Sequence, residues 1–235
     1  MTSSPLEFEG HLKLLENHII KSPFYDLITM PDFALWSAGV RIIPVFTSPT
    51  YHTSPPISWL QGLFTSCTQP EWRFPEVAIS PGLDVGNYWP MNGSSGAIGI
   101  SLARDISPQS ITVEHVLRHL SLDSHSTPKH LEVWSPVMDR MSDETKGMAT
   151  VNFPDFLAQL GHSSTDAQQC FVFLSEMIYD VLSVDHIQNF QLQQKLLCIP
   201  IIIIVVKSNW GNKNFTCLYC IHIHGILYPN GVALT

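Results

Sequence analysis

Along the first part of the chain, apolar residues recur at Leu12, Leu15, Ile19 and Ile20, the spacing of one helix face, and Pro23 ends the pattern. This predicts a short N-terminal helix whose apolar stripe packs on the domain or on a partner chain. From Asp32 the texture changes to short apolar runs between turn residues. The predicted strands are 40–45, 97–102, 110–116, 131–134, 170–174, 196–206 and 215–223. Strands at this spacing, with few helices between them, predict an all-β fold, an antiparallel β-sandwich of jelly-roll type.

Two segments break the rhythm. Residues 52–76 mix Pro55 and Pro56 with Trp59, Phe64, Trp72 and Phe74, which suggests a projecting hairpin or loop. Residues 139–169 are polar, with one short helical candidate over 154–160 stopped by Gly161. They read as an insertion without evident chemistry.

Composition narrows the classes. A length of 235 residues suits one large domain, and 17 prolines with 13 glycines agree with many turns. Twelve basic residues, no basic run and a net charge of −8 argue against a nucleic-acid partner. The start, Met1-Thr2-Ser3-Ser4-Pro5, does not read as a secretory leader. The longest apolar run, 196–206, holds Pro200 and is about half the ~20 residues a bilayer span needs. Its β-branched content reads as a buried strand instead, so no membrane anchor is expected within this chain. Five cysteines, with no CxxC pair, make a zinc knuckle improbable and leave an odd thiol. The sequons at Asn92 and Asn214 matter only in the secretory lumen.

Candidate chemistry is sparse. His222 and His224 alternate on one strand face, and His115 and His119 are four apart, but no carboxylate stands at a metal-binding spacing. Surface or core histidines are the plainer account, and no zinc site is expected. There is no G-x-S-x-G elbow and no local cysteine signature, so no enzyme is expected. Asn92-Gly93-Ser94-Ser95-Gly96 reads as a tight turn. Residues 77–92 form a loop whose carbonyls either converge on a hard cation or simply order the loop, and the residues alone leave both open. Near the end, Ser208-Asn209-Trp210-Gly211-Asn212 reads as a turn feeding a strand whose Phe215, Cys217 and Tyr219 share one face.

Several strings, in order, resemble the SUN domain, the C-terminal module of nuclear-envelope proteins, in a fungal-like variant. They are Met30-Pro31-Asp32-Phe33-Ala34-Leu35, Thr47-Ser48-Pro49-Thr50-Tyr51, Gly86-Asn87-Tyr88-Trp89-Pro90, Val113-Glu114-His115-Val116 and Ser126-Thr127-Pro128-Lys129. The last runs from Ser208-Asn209-Trp210-Gly211 to His224-Gly225. The resemblance divides the chain into a helical segment 1–29, a SUN domain 30–228 with a lid at about 53–74 and the insertion 139–169, and a tail 229–235.

The family implies a noncatalytic homotrimer that binds the C-terminal tail of a KASH protein in the perinuclear space. There it forms the LINC complex, bridging nucleoskeleton and cytoskeleton, anchored at the inner nuclear membrane through a coiled coil and a membrane segment outside this chain. The tail adds a strand beneath the lid, and its terminal carboxylate is captured. Carried over by position, the peptide site is His115, Ser126, Phe215 and Tyr219, with Trp59 and Phe64 in the lid. The family's monovalent-cation loop maps to the backbone carbonyls of Val77, Ser80, Gly82, Asn87 and Tyr219, which implies bound K+ or Na+. Three departures follow. Tyr88 stands where many members pair a cysteine with that of Cys217, Thr47 replaces the lid-base cysteine, and Phe215 replaces a frequent tyrosine. The alternative reading is a SUN-like module of the endoplasmic-reticulum lumen that binds glycoproteins or assists membrane-protein folding.

Overall fold

Nineteen residues, Gly96–Glu114, form one strand, β3, that organises the rest. The computed structural model describes residues 30–52, 73–138, 149–152, 154–163, 169–193 and 198–227. The helix expected over 6–21, most of the lid with Trp59, Phe64 and Cys67, and the 229–235 tail lie outside the described residues. The first half of β3 runs between β1 (Arg41–Ile42) and β8 (Ile199–Asn209). Its second half runs between β7 (Ile187–Gln191) and β10 (Cys220–Leu227). Beyond β8 the sheet continues through β4 (Pro128–Pro136), β6 (Phe171–Ile178) and β5 (Thr150–Val151). A separate two-stranded sheet pairs β2 (Trp89–Asn92) with β9 (Phe215–Leu218). Every pairing between these strands is antiparallel, and the all-β sandwich expected from the sequence is what forms.

The two halves of β3 differ in their side-chain pattern. In the second half Ile111 and Val113 enter the main core, whereas Ser110, Thr112 and Glu114 alternate onto the other face. In the first half both faces are apolar. Ile98 and Ile100 meet Ile202, Ile204 and Val206 of β8 in the main core. Ala97, with Ile203 and Val205 from the opposite face of β8, packs instead against Phe156, Leu157 and Phe171. Phe156 and Leu157 come from α1 (Asp155–Gln159), the helix expected in the insertion, which gives way to Gly161 at φ 87°. Covering both faces of β8 explains its unbroken isoleucine run, since a strand buried twice has no reason to alternate.

Several expected boundaries move. The runs 97–102 and 110–116 join into β3 because its register against β8 shifts between Ser101 and Ile106 instead of the strand ending there. The run 40–45 shortens to two residues, as Pro44 opens a 3-10 turn over Pro44–Phe46. The last run divides at Tyr219: β9 pairs with β2, and β10 with β3. The strands β2, β5 and β7 were not expected. Each is short, and β2 contains Pro90 while β7 is mostly polar.

The candidate carboxylate nest and its cation loop

Tyr219 sits where the chain passes from the small sheet to the large one. Its phenol ring meets the His115 imidazole at 4.5 Å and the Tyr88 ring at 5.2 Å between centroids. It belongs to a small apolar group with Val116, Cys217, Leu83, Tyr88 and Phe215. Phe215, Cys217 and Tyr219 therefore do share a face. Tyr51 stacks on Phe215 at 5.1 Å, and the Arg73 guanidinium lies 4.8 Å over Tyr88.

The conspicuous turn of the sequence braces this nest. The Asn209 side chain donates to the carbonyls of Asn212 (2.7 Å) and Phe215 (3.1 Å) and accepts from the Gly211 N–H at 3.0 Å. Gly211, at φ 133°, takes a backbone shape that side chains resist. Asn212 then donates to the Asp123 carboxylate (2.7 Å) from its side chain and to the His125 carbonyl (3.1 Å) from its backbone. That ties the turn to the short 3-10 segment Ser124–Ser126, so Ser126 and Phe215 are positioned by one set of bonds.

The polar atoms of His115 and Ser126 are engaged within the nest. The His115 Nδ1 lies 3.1 Å from the Val116 carbonyl, which can only accept, so Nδ1 carries the proton. Nε2 then accepts from the Thr127 hydroxyl at 3.3 Å. Burial holds the His115 pKa down, to about 4, against the Val116 hydrogen bond that would raise it. The imidazole is neutral at pH 7. The Ser126 hydroxyl is 2.7 Å from the Asp123 carbonyl and 3.0 Å from the Cys217 sulfur. Having a single proton, it serves the carbonyl and takes the thiol's proton in return. Burial pushes the Cys217 thiol and the Tyr219 phenol each up to about 12, so both are neutral.

His115, Phe215 and Tyr219 lie together, with Ser126 joined through Cys217, but the nest is closed. His115, Ser126 and Tyr219 are 2%, 1% and 3% exposed, while Phe215 and Tyr88 form a partly exposed outer layer. The Tyr88 departure has the expected consequence: Cys217 is a free thiol packed beside that ring. Tyr51, Thr127 and Asn209, which complete the nest, were not singled out as site residues. Only their place in the Ser-Pro-Thr-Tyr, Ser-Thr-Pro-Lys and Ser-Asn-Trp-Gly strings hinted at them.

The loop beside the nest is a 3-10 turn, Pro75–Ile79, followed by two glycines in the left-handed region, Gly82 at φ 127° and Gly86 at φ 91°. The Val77 carbonyl accepts from the Ser80 N–H at 3.2 Å, and the Ser80 carbonyl accepts from the Cys220 thiol at 3.3 Å. A carbonyl has two lone pairs, so both keep capacity for a cation. A buried Glu76 carboxylate oxygen, Oε2, has no hydrogen-bond partner. An orphaned anionic oxygen in an oxygen-rich loop fits a cation nearby.

Fold and nest define the class of protein: a β-sandwich module with an aromatic-walled polar nest at the corner between its sheets. The family model for the Sad1/UNC-like C-terminal region matches residues 68–156 and 155–226, and the chain belongs to that family, the SUN domains. Mouse SUN domain-containing protein 3 is 30% identical over 219 residues, covering 90% of this chain and 58% of the relative. Human SUN domain-containing protein 5 is 28% identical over 217 residues, covering 90% and 48%. The chain thus spans about half the length of these relatives. Among solved structures, a family 32 carbohydrate-binding module from Streptococcus pneumoniae EndoD overlays with a TM-score of 0.49 at 10% identity, over 83% of this chain and 99% of that one. A likeness that distant transfers no ligand. No helix among the described residues is long and apolar enough to cross a membrane.

Proposed function

We propose that this chain is a noncatalytic SUN domain that binds the C-terminal tail of a KASH protein in the perinuclear space, as a homotrimer held to the inner nuclear membrane by segments outside this chain. The observation that carries the reading is the convergence of His115, Ser126 and Tyr219 behind Phe215, at the corner where β9 hands over to β10. Hydroxyl, phenol and imidazole groups in an apolar wall bind a carboxylate strongly, because such bonds gain strength where water is excluded. The loop 77–87 holds K+ or Na+ through backbone carbonyls and stiffens one side of the nest.

The closed nest sets two conditions on binding. The Phe215–Tyr88 layer has to move aside, so the apparent affinity is reduced by the fraction of molecules that are open. His115 also has no N–H left for the ligand while Nδ1 serves Val116. A carboxylate arriving at Nε2 therefore draws a proton onto the ring, and affinity rises as pH falls from 7 towards 5.

The test compares one KASH-tail peptide as the free acid and as the C-terminal amide by calorimetry. Losing a hydrogen bond to a charged group costs about 1.5–3 kcal/mol, so amidation or Tyr219→Phe each weaken binding by roughly 10-fold or more. Equal affinity for acid and amide would remove the carboxylate nest and favour the lumenal glycoprotein-binding alternative.

A further inference from the structure

On the face of β3 and β10 turned away from the main core, a second group of side chains converges that the peptide-binding reading does not use. Cys220 and Glu114 are directly paired across β10 and β3, and His222 follows two residues after Cys220 on the same face. One ligand atom from each of Glu114, Cys220 and His222 lies within 4.8 Å of the other two. The sequence showed His222 beside His224 with no carboxylate at a useful spacing. The sheet supplies that carboxylate from another strand.

Three details make this more than proximity. The His222 Nδ1 is hydrogen bonded to Asp32 Oδ2 at 2.9 Å. Asp32 is itself fixed, accepting the N–H groups of Ala34 (2.8 Å) and Ile223 (3.1 Å) through Oδ1. This is the carboxylate–histidine arrangement that orients a metal-binding imidazole. The other ring nitrogen, Nε2, is buried and has no hydrogen-bond partner, although Glu114 Oε1 is 3.1 Å away at ion-pair distance. No hydrogen bond takes up that nitrogen, and it is the one a metal beside Glu114 would use. Finally, Cys220 is 2% exposed whereas the His222 and Glu114 side chains are 19% and 20% exposed, leaving a route for an ion to a sheltered thiol.

We infer that Cys220, His222 and Glu114 form a zinc site, with Asp32 as the outer carboxylate that holds the imidazole. Sulfur, imidazole and carboxylate are the donor set Zn2+ accepts, and a water completes four-coordination. Bond lengths of about 2.0–2.3 Å place tetrahedral ligand atoms roughly 3.2–3.8 Å apart, so the group, now within 4.8 Å, closes by about an ångström or less around the ion. Binding releases the Cys220 thiol proton and the proton on Nε2. Two positive charges leave and two arrive, so the buried group keeps its net charge. The Cys220 bond to the Ser80 carbonyl is given up in exchange. The site is independent of peptide binding and stands or falls separately.

The experiment titrates Zn2+ alone into the EDTA-stripped full chain by calorimetry. We expect one equivalent per chain, with Cys220→Ser weakening affinity about 100-fold or more and Asp32→Asn by about 10–100-fold. His119→Ala, at an exposed histidine outside the group, should bind as the parent does. Co2+ in place of Zn2+ should show a thiolate-to-metal absorption band that Cys220→Ser lacks. Should Cys220→Ser fail the circular-dichroism check for folding, Glu114→Gln at its partly exposed position supplies the same comparison. Substoichiometric binding by the parent chain, no thiolate band, or unchanged affinity in the folded ligand variants overturns the assignment.

Discussion

His115 follows the end of β3 and His222 lies on the neighbouring β10, yet the protein treats them oppositely. Burial among Tyr219, Tyr179 and Val116 keeps His115 neutral. Burial also opposes charge on His222, but the hydrogen bond to Asp32, with Cys220 and Glu114 beside the ring, outweighs it and raises its pKa to about 12. The same ring is a neutral spacer in one setting and a cation in the other. What separates them is a single residue step. Glu114 and His115 are adjacent, as are Tyr219 and Cys220, and at the end of β3 and the start of β10 one of each pair joins the nest and the other the group around His222. Burial of a titratable group therefore decides little alone; the partners within hydrogen-bond reach decide its charge.

The contrast can be broken most severely at Asp32. In metal-free protein, Asp32→Ala leaves a largely buried imidazolium with one carboxylate instead of two. Breaking a buried pair costs about 3–5 kcal/mol, which should lower Tm by roughly 6–20 °C by calorimetry. A loss under 1 kcal/mol would show that His222 is content with Glu114 alone.

The His115 side responds to acid. Its folded pKa of about 4 lies below the unfolded value of 6.5, so between those pH values the unfolded chain binds more protons. The native state is favoured fully above pH 6.5 and loses on the order of 3 kcal/mol as pH falls to about 4. Urea midpoints with EDTA present should trace that slope, and His115→Asn should flatten it. An identical slope in the variant would move the acid sensitivity elsewhere.

Thr127→Val should give the smallest effect. It removes the hydroxyl that donates to His115 Nε2, at a cost of about 1 kcal/mol. It also frees Nε2 to take a proton, so the acid slope should become shallower. A steeper slope would mean that Thr127 accepts from a charged ring and that the tautomer is the reverse.

The string Ser208-Asn209-Trp210-Gly211 was readable as a turn because glycine and asparagine have few other uses between apolar runs. Its task of tying Phe215 to Ser126 was not readable, since Asp123 and Asn212 are far apart in the chain and meet only by folding. Likewise the isoleucine run announced a buried strand. Nothing in it said that α1, from a segment expected to be inert, would cover the second face.

Local pattern alone determined the all-β class, most strands and, through its ordered motifs, the family, because alternation and turn chemistry are written residue by residue. Tertiary structure decided which face each residue serves. The break at Tyr219, the continuity of β3 and the meeting of Asp32, Glu114, Cys220 and His222 all depend on strand register. Register is a property of paired strands, and one strand's sequence leaves it undetermined.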